Sequence, residues 1–223
     1  MFKLVSDFRN ITDKKFMNFC SSYIKKRDRI VEIGPGDGLF ADEILRIITI
    51  SAYEFIDIKD KRSYRKELNM QICDVSAEKI PKENESVDII IASQVLEHLK
   101  NMGHFFDESC RVLKNEGLLL IKFPNYCSLL QKLKFFKNAV PHRLGGTISN
   151  GGHINFISYK WLLFFLREYF QPIMIKGDLF VDFLFTRKFF NLLKKDLYLI
   201  NSNIESLNFS WNIMIALRKN IKK

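Results

Sequence analysis

Four short stretches hold residues whose types and order can do chemistry. Glu32-Ile33-Gly34-Pro35-Gly36-Asp37-Gly38 is a glycine-rich turn with an acid in front of it. Glycines let a backbone turn tightly and let a ligand approach main-chain atoms with no Cβ in the way. Leu39 stands where a dinucleotide fingerprint needs its third glycine, and Glu32 adds negative charge beside the turn. That pairing suits an amine-bearing ligand better than a diphosphate. Asp57 lies 19 residues after Gly38, where a carboxylate accepts hydrogen bonds from ribose hydroxyls. Asp74, in Cys73-Asp74-Val75, is placed to meet an adenine amino group. Each acid alone also reads as an ordinary turn or capping residue; three in series are harder to assign to accident.

The elements that must hold these groups can be read from the apolar pattern. Strands are expected at Arg29 to Ile33, Ala52 to Ile58, Met70 to Val75, Val87 to Ser93 and Gly117 to Phe123. Helices are expected at Leu39 to Thr49, Lys61 to Leu68 and Phe105 to Leu113. An opening helix carries Phe16, Phe19, Cys20, Tyr23 and Ile24 on one stripe, with Thr12 as its cap. This β-α alternation predicts a mostly parallel, doubly wound α/β sheet with helices on both faces. Beyond Asn125 the rhythm changes. Tyr126 to Ile157 is a long insertion with glycines at 145, 146, 151 and 152. Ser158 starts a helix bearing Trp161, Leu162, Phe165, Leu166 and Tyr169. Pro172 to Ile175 begins a strand, Asp178 to Ser206 is a hydrophobic and basic insertion, and Trp211 to Leu217 is a final strand.

The motifs, taken in order, resemble the class I S-adenosyl-L-methionine (SAM)-dependent methyltransferases of the small-molecule branch. Val31 to Gly38 looks like their first motif, Phe55-Ile56-Asp57-Ile58 their second-strand acid motif, and Cys73 to Pro81 their third. Val87 to Leu99 is similar to the fourth-strand segment, ending Ser93-Gln94-Val95-Leu96-Glu97-His98-Leu99. Arg111-Val112-Leu113-Lys114-Asn115-Glu116-Gly117 is similar to an Arg-Val-Leu-Lys-Pro-Gly-Gly segment, with Asn115 and Glu116 as departures. Gly152-His153-Ile154-Asn155-Phe156 also fits that branch. The resemblance implies a Rossmann-like sheet of seven strands, the last antiparallel, within one domain over residues 1–223. It implies SAM as methyl donor: Glu32, Gly34, Gly36 and Gly38 at its methionine end, Asp57 at the ribose, Asp74 and Val75 at the adenine. Ser93 and Gln94 would border the methyl group.

Methyl transfer needs positioning above all. A base is needed only for a protonated nucleophile such as a hydroxyl. His98 and His153 are the candidate bases; each reads equally as a histidine that orients a loop. His142 and Arg143 are candidates for an anionic substrate, and 126–157 for a substrate lid. The expected acceptor is a small molecule, first a sugar or glycan hydroxyl and second a quinone or lipid. A non-catalytic SAM-binding partner protein is the alternative of another class. No Asn/Asp-Pro-Pro-Tyr-type tetrapeptide follows the fourth strand, which disfavours nucleic acid.

Composition agrees with a globular chain: of 223 residues 47% are hydrophobic and 27% charged. The net charge of +10 is spread along the chain rather than gathered into the patch a nucleic acid requires. No apolar run is long enough for a membrane span, and Met1 to Asn10 lacks a signal-peptide core, so the cytoplasm is the expected compartment. The 178–206 stretch is expected to pack on the core or on a second copy, with peripheral membrane contact as the alternative, so monomer and homodimer both stay open. Cys20, Cys73, Cys110 and Cys127 form no C-x-x-C pair, so no metal site is expected.

Overall fold

The computed structural model describes residues 2–50, 52–128, 131–132, 135–136, 152–178, 207 and 210–220; side chains are described from Thr12 onward. The expected elements at 142–143, most of 126–157 and nearly all of 178–206 lie outside these residues.

In chain order the elements are α1 (Phe2–Ser21), β1 (Arg29–Ile33), α2 (Leu39–Ile47), β2 (Ala52–Asp57), β3 (Met70–Ile72), β4 (Val87–Ser93), α3 (Met102–Val112), β5 (Leu113–Pro124), α4 (Tyr159–Leu166), β6 (Phe170–Gly177) and β7 (Asn212–Lys219), with a 3-10 turn at Leu96–His98 after β4. They form one seven-stranded sheet, ordered β3-β2-β1-β4-β5-β7-β6. β1 pairs in parallel with both β2 and β4, and β7 runs antiparallel between β5 and β6. Strand order therefore reverses at β1, where open α/β sheets bind ligands beyond the carboxyl ends.

Apolar residues on the two sides of each strand build two cores. Val31, Ile33, Ile56, Ile90, Leu119 and Ile121 face α3 and α4 residues such as Phe105, Phe106 and Leu162. Ile30, Phe55, Ile89, Ile91 and Leu120 face Phe16, Phe19 and Cys20 of α1 and Ile44 of α2. Ile30, Val31 and Ile33, and Ile89 to Ala92, are all 3% exposed or less, as central parallel strands require.

Three expectations are corrected. Thr12 does not cap the first helix: α1 begins at Phe2 and Thr12 is a buried residue inside it. The Phe16–Cys20 stripe is buried as expected, while Tyr23 and Ile24 follow the helix end. Lys61 to Leu68 forms no helix. Arg65 takes a left-handed φ of 54°, which a right-handed helix does not admit. Arg62, 8% exposed, holds the turned segment: its guanidinium bonds both Asp60 oxygens, donates to the carbonyls of Arg65 (3.2 Å) and Leu68 (2.9 Å) and stacks 5.0 Å above the Phe55 ring. Leu113 opens β5 rather than closing α3.

Candidate active site

The turn after β1 carries Gly34, Gly36 and Gly38 at φ of 66°, 59° and 84°. Two of them differ in what surrounds them. A Cβ on Gly38 would stand 2.6 Å from the Tyr64 carbonyl oxygen, because the segment after β2 folds over the turn: Ser63 and Tyr64 N–H groups both donate to Asp37 O. A Cβ on Gly36 would meet nothing within 4 Å. Protein packing therefore demands glycine at 38, while at 36 the bare backbone faces open space that a ligand can enter.

The other candidate residues stand along the same sheet edge. Gly34 N–H donates to Ile56 O and Cys73 N–H to Asp57 O, tying the ends of β1, β2 and β3 together. Asp57 is half-buried and accepts from Ile58 N at 2.7 Å; burial raises its pKa, opposed by backbone donors. Asp74 accepts from the Ser76 hydroxyl and N–H at 2.6 and 3.0 Å, which hold its pKa below the usual carboxylate range; Val75 beside it is buried. Ser93 ends β4, and Gln94 follows it at φ 57°, a left-handed conformation that costs a non-glycine residue roughly 1–3 kcal/mol. Gln94 is held there from both ends. Its N–H donates to Lys122 O, and its Nε2 donates to Asn212 Oδ1 at 3.1 Å. Asn212 is fixed in turn by the fully buried Asp178, which accepts from both Asn212 N and Nδ2.

Glu32 takes a different direction. Its carboxyl is 2% exposed and accepts the Tyr53 hydroxyl at 2.8 Å. Burial pushes its pKa up to about 8, against the lowering effect of the Tyr53 bond, and nearby Asp37 raises it further. Residue 32 follows Ile30 on the sheet face covered by α1, so this acid sits beneath the turn.

His98 and His153 meet although 55 positions separate them in the chain: their rings cross edge-to-face with centroids 4.8 Å apart. The contact is built by the surrounding backbone. Ile154 and Asn155 N–H groups donate to Glu97 O at 2.8 and 3.2 Å, and Asn155 Nδ2 donates to the carbonyls of Leu96 (2.9 Å) and Leu99 (2.7 Å). His98 Nδ1 lies 3.3 Å from Gly152 O, and the Tyr126 hydroxyl hydrogen-bonds His153 Nδ1. His98 is exposed, His153 half-buried and Glu97 buried. Sequence reasoning named the two histidines but missed Glu97, Tyr126 and Asn155. Glu97 adjoins His98 and Asn155 is two residues from His153, but Tyr126 had no sequence signal beyond following Pro124-Asn125. His142 and Arg143 lie outside the described residues.

A cavity of about 540 Å³ opens at the other edge of the sheet, lined by Glu85, Arg111, Tyr169 and Lys219 among others. It lies at the amino ends of the parallel strands, away from all these groups.

Residues 8–163, more than half of the chain, match the family model described as "Methyltransferase domain". The chain belongs to the SAM-dependent methyltransferases. Among relatives of this chain is a Mycobacterium tuberculosis protein named "Probable S-adenosylmethionine-dependent methyltransferase", 30% identical over 99 residues, covering 43% of this chain and 35% of that protein. A "Ubiquinone biosynthesis O-methyltransferase" of Bartonella tribocorum is 26% identical over 98 residues, covering 42% of this chain and 40% of the relative. The aligned region thus spans well under half the length of these curated relatives. A SAM-dependent methyltransferase from Archaeoglobus fulgidus has the same fold, with a TM-score of 0.67, 18% identity and coverage of 98% and 99% of the two chains. SAM is the family's methyl donor, and the open space at Gly36 beside Asp57 and Asp74 fits such a ligand. No helix among the described residues is long and apolar enough to cross a membrane.

Proposed function

We propose that this methyltransferase moves the methyl group of SAM to a hydroxyl of a small molecule, first a sugar or glycan precursor. The observation that carries the reading is the His98–His153–Tyr126 cluster at the end of β4, next to Ser93 and Gln94. An alkyl or aryl hydroxyl must lose its proton to become a nucleophile, and imidazole is the side chain suited to take one near neutral pH.

In this reading the chain's residues divide the work. Backbone at Gly34 and Gly36 receives the amino-acid end of the donor, Glu32 supporting the turn from beneath. Asp57 accepts from the ribose hydroxyls, and Asp74 with Val75 borders the adenine. Gln94, locked by Asn212, bounds the space where the sulfonium-activated methyl is supplied. His98 and His153 orient the acceptor hydroxyl and take its proton, and Tyr126 holds the His153 ring.

A quinol is the second reading, favoured by the aligned Bartonella ubiquinone O-methyltransferase. A phenol gives up its proton near pH 10, so it asks less of a base than a sugar hydroxyl does.

The test has two parts. Calorimetry with S-adenosylhomocysteine should show binding, and its absence would defeat the reading. Methyl transfer from labelled SAM should then be measured against panels of sugar and quinol acceptors. His98→Ala and His153→Ala should lower turnover by about 10²–10⁴ while donor affinity stays within a few-fold. Unchanged turnover in both variants would remove the histidines from proton transfer, and binding with no transfer on any panel would favour a non-catalytic SAM-binding protein.

A further inference from the structure

The structure points to a divalent-cation site at Glu97, His98 and His153, and we propose that it holds a first-row transition metal of the Zn²⁺ type. One ligand atom from each of the three lies within 4.8 Å of one from each of the others. Donor atoms bound to one tetrahedral ion at about 2.0–2.2 Å stand about 3.3–3.6 Å apart, so the three must close by up to about 1.5 Å, through rotation of the two imidazoles and the carboxylate. Two imidazoles and one carboxylate, with positions left for water or substrate, are the donor set of catalytic zinc centres and related divalent sites. With no thiolate, the set is too hard for Cu(I). With two nitrogens, it is a poor site for Mg²⁺ or Ca²⁺.

The surroundings support this assignment independently. Metal-bound imidazoles are normally held by a second hydrogen bond from the ring. Here the Gly152 carbonyl lies 3.3 Å from His98 Nδ1, and the Tyr126 hydroxyl meets His153 Nδ1. Glu97 is 0% exposed, where a carboxylate attracts a cation far more strongly than in water. The four hydrogen bonds that join 154–155 to 96–99 bring the ligands together with no ion needed to hold the loops. A preformed site of this kind binds metal without the cost of ordering two segments.

The proposal rests on the hydroxyl-acceptor reading only for its chemical use. A cation there draws electron density from an acceptor oxygen and lowers the pKa of its hydroxyl. The proton then leaves to solvent. As the oxygen's lone pair forms the new C–O bond, the donor's C–S bond breaks and its electron pair stays on sulfur. The histidines then act through the ion rather than as bare bases, which separates this proposal from the one above.

Chelator-treated full-length protein should be titrated with Zn²⁺ by calorimetry and with Co²⁺ by visible absorption, with S-adenosylhomocysteine binding measured on the same samples. The expected result is one equivalent of either metal, with Co²⁺ ligand-field bands. His153→Gln and Glu97→Gln should each weaken binding on the order of 100-fold and Tyr126→Phe about tenfold. His104→Gln, at a half-buried histidine bonded to Glu78 O, and Cys127→Ser should leave it unchanged. Thermal melts identify a variant that fails to fold; His153→Gln, at a half-buried position, then carries the test in place of buried Glu97. No stoichiometric binding, or binding indifferent to the His153 and Glu97 variants, overturns the site. If metal binds but the homocysteine derivative does not, the site stands and the methyltransferase reading falls.

Discussion

The two halves of the active edge are assembled in opposite ways. The half proposed to hold the donor, at the ends of β1, β2 and β3, comes from consecutive strand–loop units within residues 29–75, with three glycines at positive φ in its turn. The half proposed to hold the acceptor, at the end of β4, joins residues 94–98 to Tyr126, 152–155 and 212, and side chains supply most of the contacts. A surface made of backbone depends on conformation, so the residues that matter are those with unusual φ. A surface made of side chains depends on what stitches distant segments together, so the residues that matter are amides such as Asn155 and Asn212. Substitutions should therefore separate donor affinity from turnover.

The largest effect should come from Gly38→Ala. Its Cβ collides with backbone at 2.6 Å, and the φ of 84° adds roughly 1–2 kcal/mol. Both the melting temperature and donor affinity should fall. If the protein melts as before, the close fit between the turn and Tyr64 is not what holds this half together. Gly36→Ala sharpens the contrast. Its Cβ meets nothing within 4 Å, so stability should drop by only about 1–2 kcal/mol, while homocysteine-derivative affinity falls at least about tenfold. Equal losses at 36 and 38 would erase the distinction between packing and ligand space.

On the acceptor side, Asn155→Ala leaves the Leu96 and Leu99 carbonyls short of a donor and should cost about 1–3 kcal/mol. Turnover should fall and donor affinity should hold within about twofold. A parallel loss of donor affinity would mean the two halves are one unit. A pH-dependent effect concerns Glu32. Its folded pKa of about 8 lies above the ordinary value of 4.5, so the folded state prefers the neutral acid. Stability from this group is fully present below about pH 4.5 and is lost as pH rises to about 8. Denaturant melts should show that decline in the wild type and a flatter profile in Glu32→Gln, whose amide oxygen still accepts from Tyr53.

The same contrast explains what could be read from sequence. β1 and β4 have the ends the apolar pattern gives them, and the glycine turn, Asp57 and Asp74 stand at consecutive strand ends as read, because strand, turn and acid follow one another within a few positions. The acceptor cluster was legible only in part. His98 and His153 stand out by type, but no local pattern reports that Asn155 donates to carbonyls 56 and 59 positions away. The failed helix at Lys61 to Leu68 has the same origin. Its periodicity suits a helix, yet Arg65 is left-handed and the segment is held against Phe55 and Asp42, so propensity gives way to tertiary contact. Gln94 was named from the sequence, but its left-handed conformation and its bond to Asn212 have no signature in composition.

Arg62 has a dynamic consequence. The strip from Asp60 to Leu68 has no ladder of amides; Arg62, the Arg65–Asp42 ion pair (2.9 Å) and the Ser63 and Tyr64 N–H bonds to Asp37 O hold it against the glycine turn. Such a strip opens locally, without disturbing the sheet below. Its amide protons should therefore exchange as one block, and the block should slow when the adenosyl ligand is seated, making residues 60–68 a natural reporter of occupancy.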